Sequence, residues 1–330
     1  MSVQKILVTG SVGFIGFHIC KALIENGYQI IGLDNISDYY SVELKNNRLK
    51  ELKRIGSKHK NLFRFKQLNI LDKVKISELF ERESFSQVIH LAAQAGVRYS
   101  IDNPSAYVST NIQGFFNVID LCKSHGVQHF YYASSSSVYG NQTKKPFEET
   151  DRVDNPISIY AATKKTNELM AHTYSHLYGL ETTALRFFTV YGPWGRPDMA
   201  PMIFLDALFN KKKIYVFNNG NLERDFTYIT DISEAIIRLI HKDQEGKIEK
   251  YRVFNIGNSE PILLLEFINI LESITGRTFI RENMSMQAGD VFHTHACVNN
   301  LENYIGVIGH TSIEDGLASF VAWFKKYYNH

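Results

Sequence analysis

Residues Ile6–Gly16 read ILVTGSVGFIG, and this segment constrains the fold more than any other. A short β-rich run ends at Gly10, and a stretch with helical periodicity starts at Phe14, so three glycines sit where a strand hands over to a helix. Gly10 permits a tight turn, Gly13 lets a ligand approach the backbone, and Gly16 lets helix and strand pack closely. The N-terminal end of that helix carries a partial positive charge suited to phosphate. The spacing is GxxGxxG rather than GxGxxG, so the glycines alone say little. They gain weight from Asp34, the acid that ends the next β-rich run, Gln29–Leu33. A carboxylate there accepts hydrogen bonds from ribose hydroxyls and repels a 2′-phosphate. The segment therefore implies a dinucleotide site that prefers NAD to NADP.

The rest of the N-terminal half repeats the alternation. Strands are expected at Phe63–Leu68, Gln87–Leu91 and His129–Ala133. Helices are expected at Val42–Lys60, Val74–Glu83 and Asn111–Ser124. This rhythm predicts parallel βαβ units, hence an α/β fold with a doubly wound parallel sheet. Val42–Lys60 is rich in lysine and arginine and reads as a solvated face. After a loop-like stretch, Tyr160–Tyr178 is strongly helical and Glu181–Val190 reads as one strand. Beyond Tyr191 the elements are shorter and less regular, which predicts a smaller second lobe. Tyr251–Ile256 (YRVFNI) is expected to return to the main sheet.

Composition narrows the classes. The 330 residues carry a net charge of +2, which gives no broad field for nucleic acid. No apolar run approaches the ~20 residues of a membrane span. Cys20, Cys122 and Cys297 are far apart and odd in number, as expected of reduced thiols in a cytoplasm. None of the histidines has metal-ligand spacing, so no metal is expected.

Two further features bear on chemistry. Tyr160 and Lys164 stand four apart and share a helix face. An unperturbed tyrosine, with a pKa of ~10, is a poor base at neutral pH; a neighbouring ammonium is expected to lower it. Ser134–Gly140 (SSSSVYG) follows the fifth strand, so its hydroxyls fall at the C-terminal sheet edge, where doubly wound folds bind ligands. Leu91, Ala92 and Ala93 end another strand on mostly small residues, leaving room for a dinucleotide against the sheet.

Taken together, GxxGxxG, LAA, SSSSVYG and YxxxK resemble the extended short-chain dehydrogenase/reductases. Within them the chain is most similar to the nucleotide-sugar 4-epimerases, and there to the UDP-glucuronate 4-epimerase group. The phrases AAQAGVRYSIDNP (Ala92–Pro104), YAATKKTNE (Tyr160–Glu168), RFFTVYGPWGRPDMA (Arg186–Ala200) and RDFTYITD (Arg224–Asp231) carry this. The resemblance implies a Rossmann domain over 1–190, with a returning segment near 225–258, and a C-terminal α/β lobe over 191–330 that binds the UDP-sugar.

It also implies roles. Tyr160 becomes the general base, Lys164 its partner and Ser135 the catalytic hydroxyl. NAD is then held by Gly10, Gly13, Phe14, Ile15, Gly16, Asp34, Asn35, Asn69, Ile70 and Leu91–Ala93, together with Tyr160 and Lys164. Asn69 stands where the family often has aspartate. Arg98, Arg224, Gln287 and Asp290 fall to the UDP-sugar, and Ser136, Ser137, Thr189 and Arg196 to the C6 end; a loop salt bridge is the plainer reading of Arg196. Thr294 sits at a position linked to tolerance of 2-acetamido groups. UDP-N-acetylglucosamine and its uronate are therefore alternative substrates. A 4,6-dehydratase would need an acid pair where Ser136 and Ser137 stand, and a decarboxylase a glutamate in the same stretch. A non-catalytic NAD-binding regulator would be expected to lose Tyr160 or Lys164. A homodimer is implied, formed through the helices at Asn111–Ser124 and Tyr160–Tyr178.

Overall fold

The computed structural model describes residues 4–330 apart from 247 and 288. Its strands, in chain order, are β1 (Lys5–Thr9), β2 (Gln29–Asp34), β3 (Phe63–Gln67), β4 (Gln87–His90), β5 (His129–Ser135), β6 (Glu181–Phe187), β7 (Thr189–Tyr191), β8 (Lys213–Phe217), β9 (Glu223–Tyr228), β10 (Tyr251–Ile256), β11 (Pro261–Leu263) and β12 (Ile280–Met284). Seven of them form one parallel sheet in the order β10-β6-β5-β4-β1-β2-β3. This is the Rossmann-type sheet the alternation predicted.

Its inner strands are buried along nearly their whole length because helices cover both faces, whereas edge strand β3 (FRFKQ) is mostly polar. Alternation divides the side chains between two cores. Ile6, Val8 and Ile30 point into one core with Phe17, Leu23 and Ile236. Leu7, Ile31 and Val88 point into the other with Phe115, Val118 and Phe130. The strand order reverses between β1 and β4, which places the glycine turn and Leu91–Ala93 side by side at the crevice where such sheets bind ligands.

The remaining strands form a second layer: β7 pairs parallel with β9, β11 pairs antiparallel with β9, and β8 pairs with β12. Helices Ala200–Asn210, Leu264–Thr275 and Ile313–Tyr328 pack around them. Tyr251–Ile256 lies at the edge of the large sheet, beside β6.

Three local readings change. The strand expected over 181–190 breaks at Phe188, whose N–H donates to the Ile256 carbonyl; Thr189–Tyr191 then joins β9 in the small sheet. The apolar run is continuous across the break, so only the change of partner reveals it. The helix expected to begin at Asn111 has earlier turns at Tyr99–Asp102 and Pro104–Tyr107, then a π-helical stretch Val108–Gly114 before Phe115–Ser124. Asn103 caps the second turn and Pro104 sits at its first position, a start signal that periodicity alone overlooks. Finally, helix Val42–Lys58 is not solvated at Lys45 and Arg48, which are 5% and 0% exposed. Arg48 donates to the Val12 carbonyl, to the Tyr40 hydroxyl and to the carbonyls of Trp194 and Gly195. It thereby ties the glycine turn to a loop of the second layer.

Candidate active site

One cavity of about 970 Å³ opens along the C-terminal edge of the large sheet and beneath the second layer. Every residue assigned above to cofactor, sugar or catalysis lines it: Gly10 through Gly16 at one end, the serines, Tyr160 and Lys164 in the middle, and Arg224, Gln287 and Asp290 at the other. Ala288, between the last two, lies outside the described residues.

At the first end the fit to a dinucleotide is a matter of backbone. Gly13 caps helix Phe14–Glu25 without any side-chain hydrogen bond, so the helix presents a bare N-terminus to the cavity. A Cβ on Gly10, whose φ is +70°, would lie 2.7 Å from the Ala92 nitrogen; one on Gly16 would lie 2.0 Å from the Gly10 oxygen. Gly10 therefore serves the close crossing of β1 and β4 as much as the turn. Behind it, Thr9 Oγ1 bonds His90 Nδ1 (2.8 Å) and accepts from the Ala92 N–H (3.2 Å), locking the two strand ends together. Burial pulls the His90 pKa to about 3.

Asp34 is 8% exposed and accepts from the Ile36 N–H (2.8 Å) and the Val12 N–H (3.3 Å). Burial raises its pKa, opposed by those amides and by Lys45 and Arg48. Asn69, assigned above to NAD, has its side-chain oxygen on the Leu71 N–H (3.0 Å), so that carbonyl already holds its own turn.

The middle is set by helix Ile159–Tyr178. Ser158 Oγ accepts from the Ala161 N–H and Gly179 closes the far end in the left-handed conformation, caps that fix where the first turn falls. Tyr160 lies in that turn, in edge contact with Tyr107 at 6.1 Å. Lys164 is buried, and its Nζ donates to the Ala133 carbonyl (2.7 Å) at the end of β5, 6.0 Å from the centre of the Tyr160 ring.

The expected lowering of the phenol is not what the protein's own groups produce. Burial raises the Tyr160 pKa, with a hydrogen bond to Ser135 and the Arg196 charge opposing it. Burial also pulls Lys164 down to about 8, with Glu168 opposing. Ser135 Oγ accepts from the Ser137 N–H (3.1 Å) and donates to Ser137 Oγ (3.0 Å), so the serines form one hydroxyl-lined turn.

Two arginines of the cavity wall are matched by acids, one beside the Tyr39 and Tyr40 rings and one at the far end. Arg196 grips Asp198 through both Nε and a terminal nitrogen, and Arg224 donates to Asp290 Oδ1 (2.8 Å). The loop salt bridge read for Arg196 is therefore present, inside the cavity. Arg98 lies over the Phe217 ring at 5.1 Å. Thr294 accepts the Asp225 N–H through its hydroxyl (3.1 Å), so it lines the cavity as part of the scaffold.

Sequence reasoning missed several partners. Asn111, on the π-helical stretch, accepts from the Gln94 N–H (2.8 Å) and donates to the Gln94 carbonyl (3.0 Å) and to Thr163 Oγ1 (3.1 Å). This joins the loop after β4 to helix Ile159–Tyr178. Tyr39 donates to Asp198 Oδ2 (3.3 Å) from the loop after β2. The Tyr39–Tyr40 pair just past Asp34 was the available signal.

The sheet, the glycine turn and the Tyr–Lys–Ser set define a Rossmann-fold, dinucleotide-dependent enzyme. The chain belongs to the NAD dependent epimerase/dehydratase family, whose sequence model matches residues 6–257. It is 48% identical to Protein CapI of Staphylococcus aureus, over 98% of this chain and 99% of the relative. It is 43% identical to the probable UDP-glucuronate 4-epimerase of Rhizobium meliloti (strain 1021), over 98% of each. Its fold matches the UDP-glucuronic acid 4-epimerase of Bacillus cereus, solved with UDP-glucuronic acid and NAD. That match has a TM-score of 0.90 at 31% identity and covers 98% of this chain and 100% of the other.

Proposed function

We propose that this chain reversibly inverts C4 of a UDP-hexuronate, converting UDP-glucuronate to UDP-galacturonate. One observation carries the choice among reactions of this fold. Among the described residues lining the cavity, the acids are Asp34, Asp102, Asp198 and Asp290, and none belongs to the serine turn beside Tyr160. Elimination of water needs an extra acid–base pair there, whereas inversion at C4 needs one proton carrier and a reversible electron acceptor. The relatives and the solved neighbour named for UDP-glucuronate support the uronate.

Bound NAD supplies a two-electron acceptor beside C4 and a positive charge beside the phenol. The bare helix end at Gly13, the glycines that keep the turn tight and the Asp34 carboxylate hold that cofactor. Tyr160 takes the proton of the C4 hydroxyl and later returns it to the carbonyl oxygen. Ser135 donates to that oxygen, and Lys164 anchors the middle of the site. Arg224 and Asp290 hold the nucleotide, with Arg98 and Gln287 beside them. With Arg196 held by Asp198, the hydroxyls of Ser136, Ser137 and Thr189 receive the C6 carboxylate. On this reading residues 1–190 and the segment near 225–258 carry the cofactor, and 191–330 the sugar nucleotide.

Proton NMR of the purified protein with UDP-glucuronate and catalytic NAD tests this. The expected outcome is a new anomeric signal from the C4 epimer without net NADH. Accumulated NADH or keto sugar would overturn it, and conversion of only an N-acetylated sugar would move the specificity.

We further propose a cytoplasmic homodimer. Leu169 and Leu177 of helix Ile159–Tyr178 expose 57% and 61% of their surface, and Val108 of the neighbouring helical run 50%. Such apolar surface suits a symmetric helix pairing. A monomer by analytical ultracentrifugation at micromolar concentration would count against it. Three mutually distant free thiols, two of them buried, suit a reducing compartment; a cell fractionation that finds the protein outside the cytoplasm would refute it.

A further inference from the structure

Beneath the serine turn lies a buried ion pair that the reaction above does not use. Glu168, 1% exposed, stands one helical turn after Lys164. It receives Arg186 of β6 bidentately, from Nε at 2.8 Å and a terminal nitrogen at 2.9 Å. Its Oε1 also accepts the hydroxyl of Ser134 (2.6 Å). The other terminal nitrogen of Arg186 donates to the Tyr139 hydroxyl (2.9 Å), and that hydroxyl donates to Asn255 Oδ1 (2.7 Å). Asn255 is fixed in turn by its amide bonds to the carbonyls of Phe147 (2.9 Å) and Cys297 (3.1 Å).

Ser134 and Tyr139 are the two ends of the serine turn, so one ion pair grips both. We propose that Glu168 and Arg186 are positioning residues. They pin the turn at Ser134 and at Tyr139, and so set where the hydroxyls of Ser135 to Ser137 stand relative to Tyr160. Charge-assisted hydrogen bonds in a buried site are directional and short, so they hold a position that packing alone would leave looser. The pair also joins three elements that must agree for the reaction: the catalytic helix, the end of β5, and β6.

The consequence is an asymmetry. The Ser134 pin adjoins Ser135, which acts at the C4 oxygen; the Tyr139 pin lies two residues past Ser137, at the C6 end. This part rests on the reaction proposed above. Ser134→Ala should therefore lower kcat about tenfold with little change in KM. Tyr139→Phe should raise KM for UDP-glucuronate about tenfold with a smaller change in kcat. NAD bound per chain should be unchanged in both.

The same holoproteins, followed by amide hydrogen exchange, test the pins without any turnover. Exchange should quicken at least tenfold in segment 134–140 and stay at the wild-type rate in β1 and in helix Ile159–Tyr178. Unchanged exchange in 134–140, or a uniform rise across the chain, would overturn the proposal. So would equal losses of kcat and KM in the two variants of an active enzyme. If the wild-type protein converts none of the sugars, the proposed reaction falls and the exchange result alone decides the pins.

Discussion

The two ends of the cavity are built from different materials. The cofactor end is made of backbone: a bare helix N-terminus at Gly13, a turn that leaves no room for a Cβ at Gly10 or Gly16, and strand ends locked by Thr9 and His90. The sugar side is made of charges that answer one another, Arg224 with Asp290 and, where the wall runs back to Tyr39 and Tyr40, Arg196 with Asp198. A backbone cradle is set once the sheet has formed and offers one shape. Paired side chains form a surface in which a ligand phosphate or carboxylate competes with a resident carboxylate. The cofactor end should thus be unforgiving of shape and the sugar end of charge.

The largest expected effect tests the point where the ends meet. Tyr160→Phe removes the proton carrier and should cut turnover by roughly 10²–10⁴-fold, read by NMR, while bound NAD stays at the wild-type level. If turnover survives, neither end is catalytic in the sense argued. Arg224→Ala should come next. Losing a charged hydrogen-bond partner costs about 1.5–3 kcal/mol, so KM for the UDP-sugar should rise roughly ten- to a hundredfold, again with NAD retained.

Gly16→Ala is the mirror experiment. Its methyl would lie 2.0 Å from the Gly10 oxygen, and such overpacking costs about 1–3 kcal/mol. The protein should purify with little NAD and a lower melting temperature. If Arg224→Ala loses NAD, or Gly16→Ala keeps it, the contrast between the ends is broken.

The smallest effect is with pH. His18, on the helix that follows the glycine turn, and His90 are both pulled by burial to about 3. They stay neutral in the folded chain and charge in the unfolded one. Their contribution is full well above the unfolded pKa of about 6.5, starts to fall as pH comes within a unit of it, and goes on falling toward pH 3. Between pH 7.5 and 6.5 the pair should account for about 0.7 kcal/mol of lost stability, measured by urea unfolding. At Asp198, on the sugar side, burial raises the pKa but is outweighed by Arg196, so the net shift is downward. Its stabilising charge therefore persists through that window.

This contrast also explains what could be read from the sequence. Glycines, Asp34 and the Tyr160–Lys164 pair act through spacing along the chain, and spacing is what a sequence displays. Arg48 on Trp194, Arg186 on Glu168 and Asn111 on Gln94 act across the fold, and nothing local marks them. The basic stretch of helix Val42–Lys58 looks solvated because charge usually is; the three carbonyls and the Tyr40 hydroxyl that meet Arg48 make its burial tolerable. The protein's own groups shift Tyr160 upward for a related reason. An ammonium four residues away sounds close, but Lys164 directs one N–H to the Ala133 carbonyl with Nζ 6.0 Å from the Tyr160 ring centre, and burial governs the phenol.

Strand β10 has a consequence for how the molecule is made. It closes the edge of the large sheet beside β6, yet it is synthesised after β7, β8 and β9, which belong elsewhere. While the chain leaves the ribosome, β6 waits with an open edge until residue 256 has emerged. An exposed edge is where a strand recruits the wrong neighbour, and pairing across such a separation in the chain is slow. A nascent chain stalled between Tyr191 and Tyr251 should therefore depend on chaperones, although it already contains every residue of the glycine turn and of helix Ile159–Tyr178.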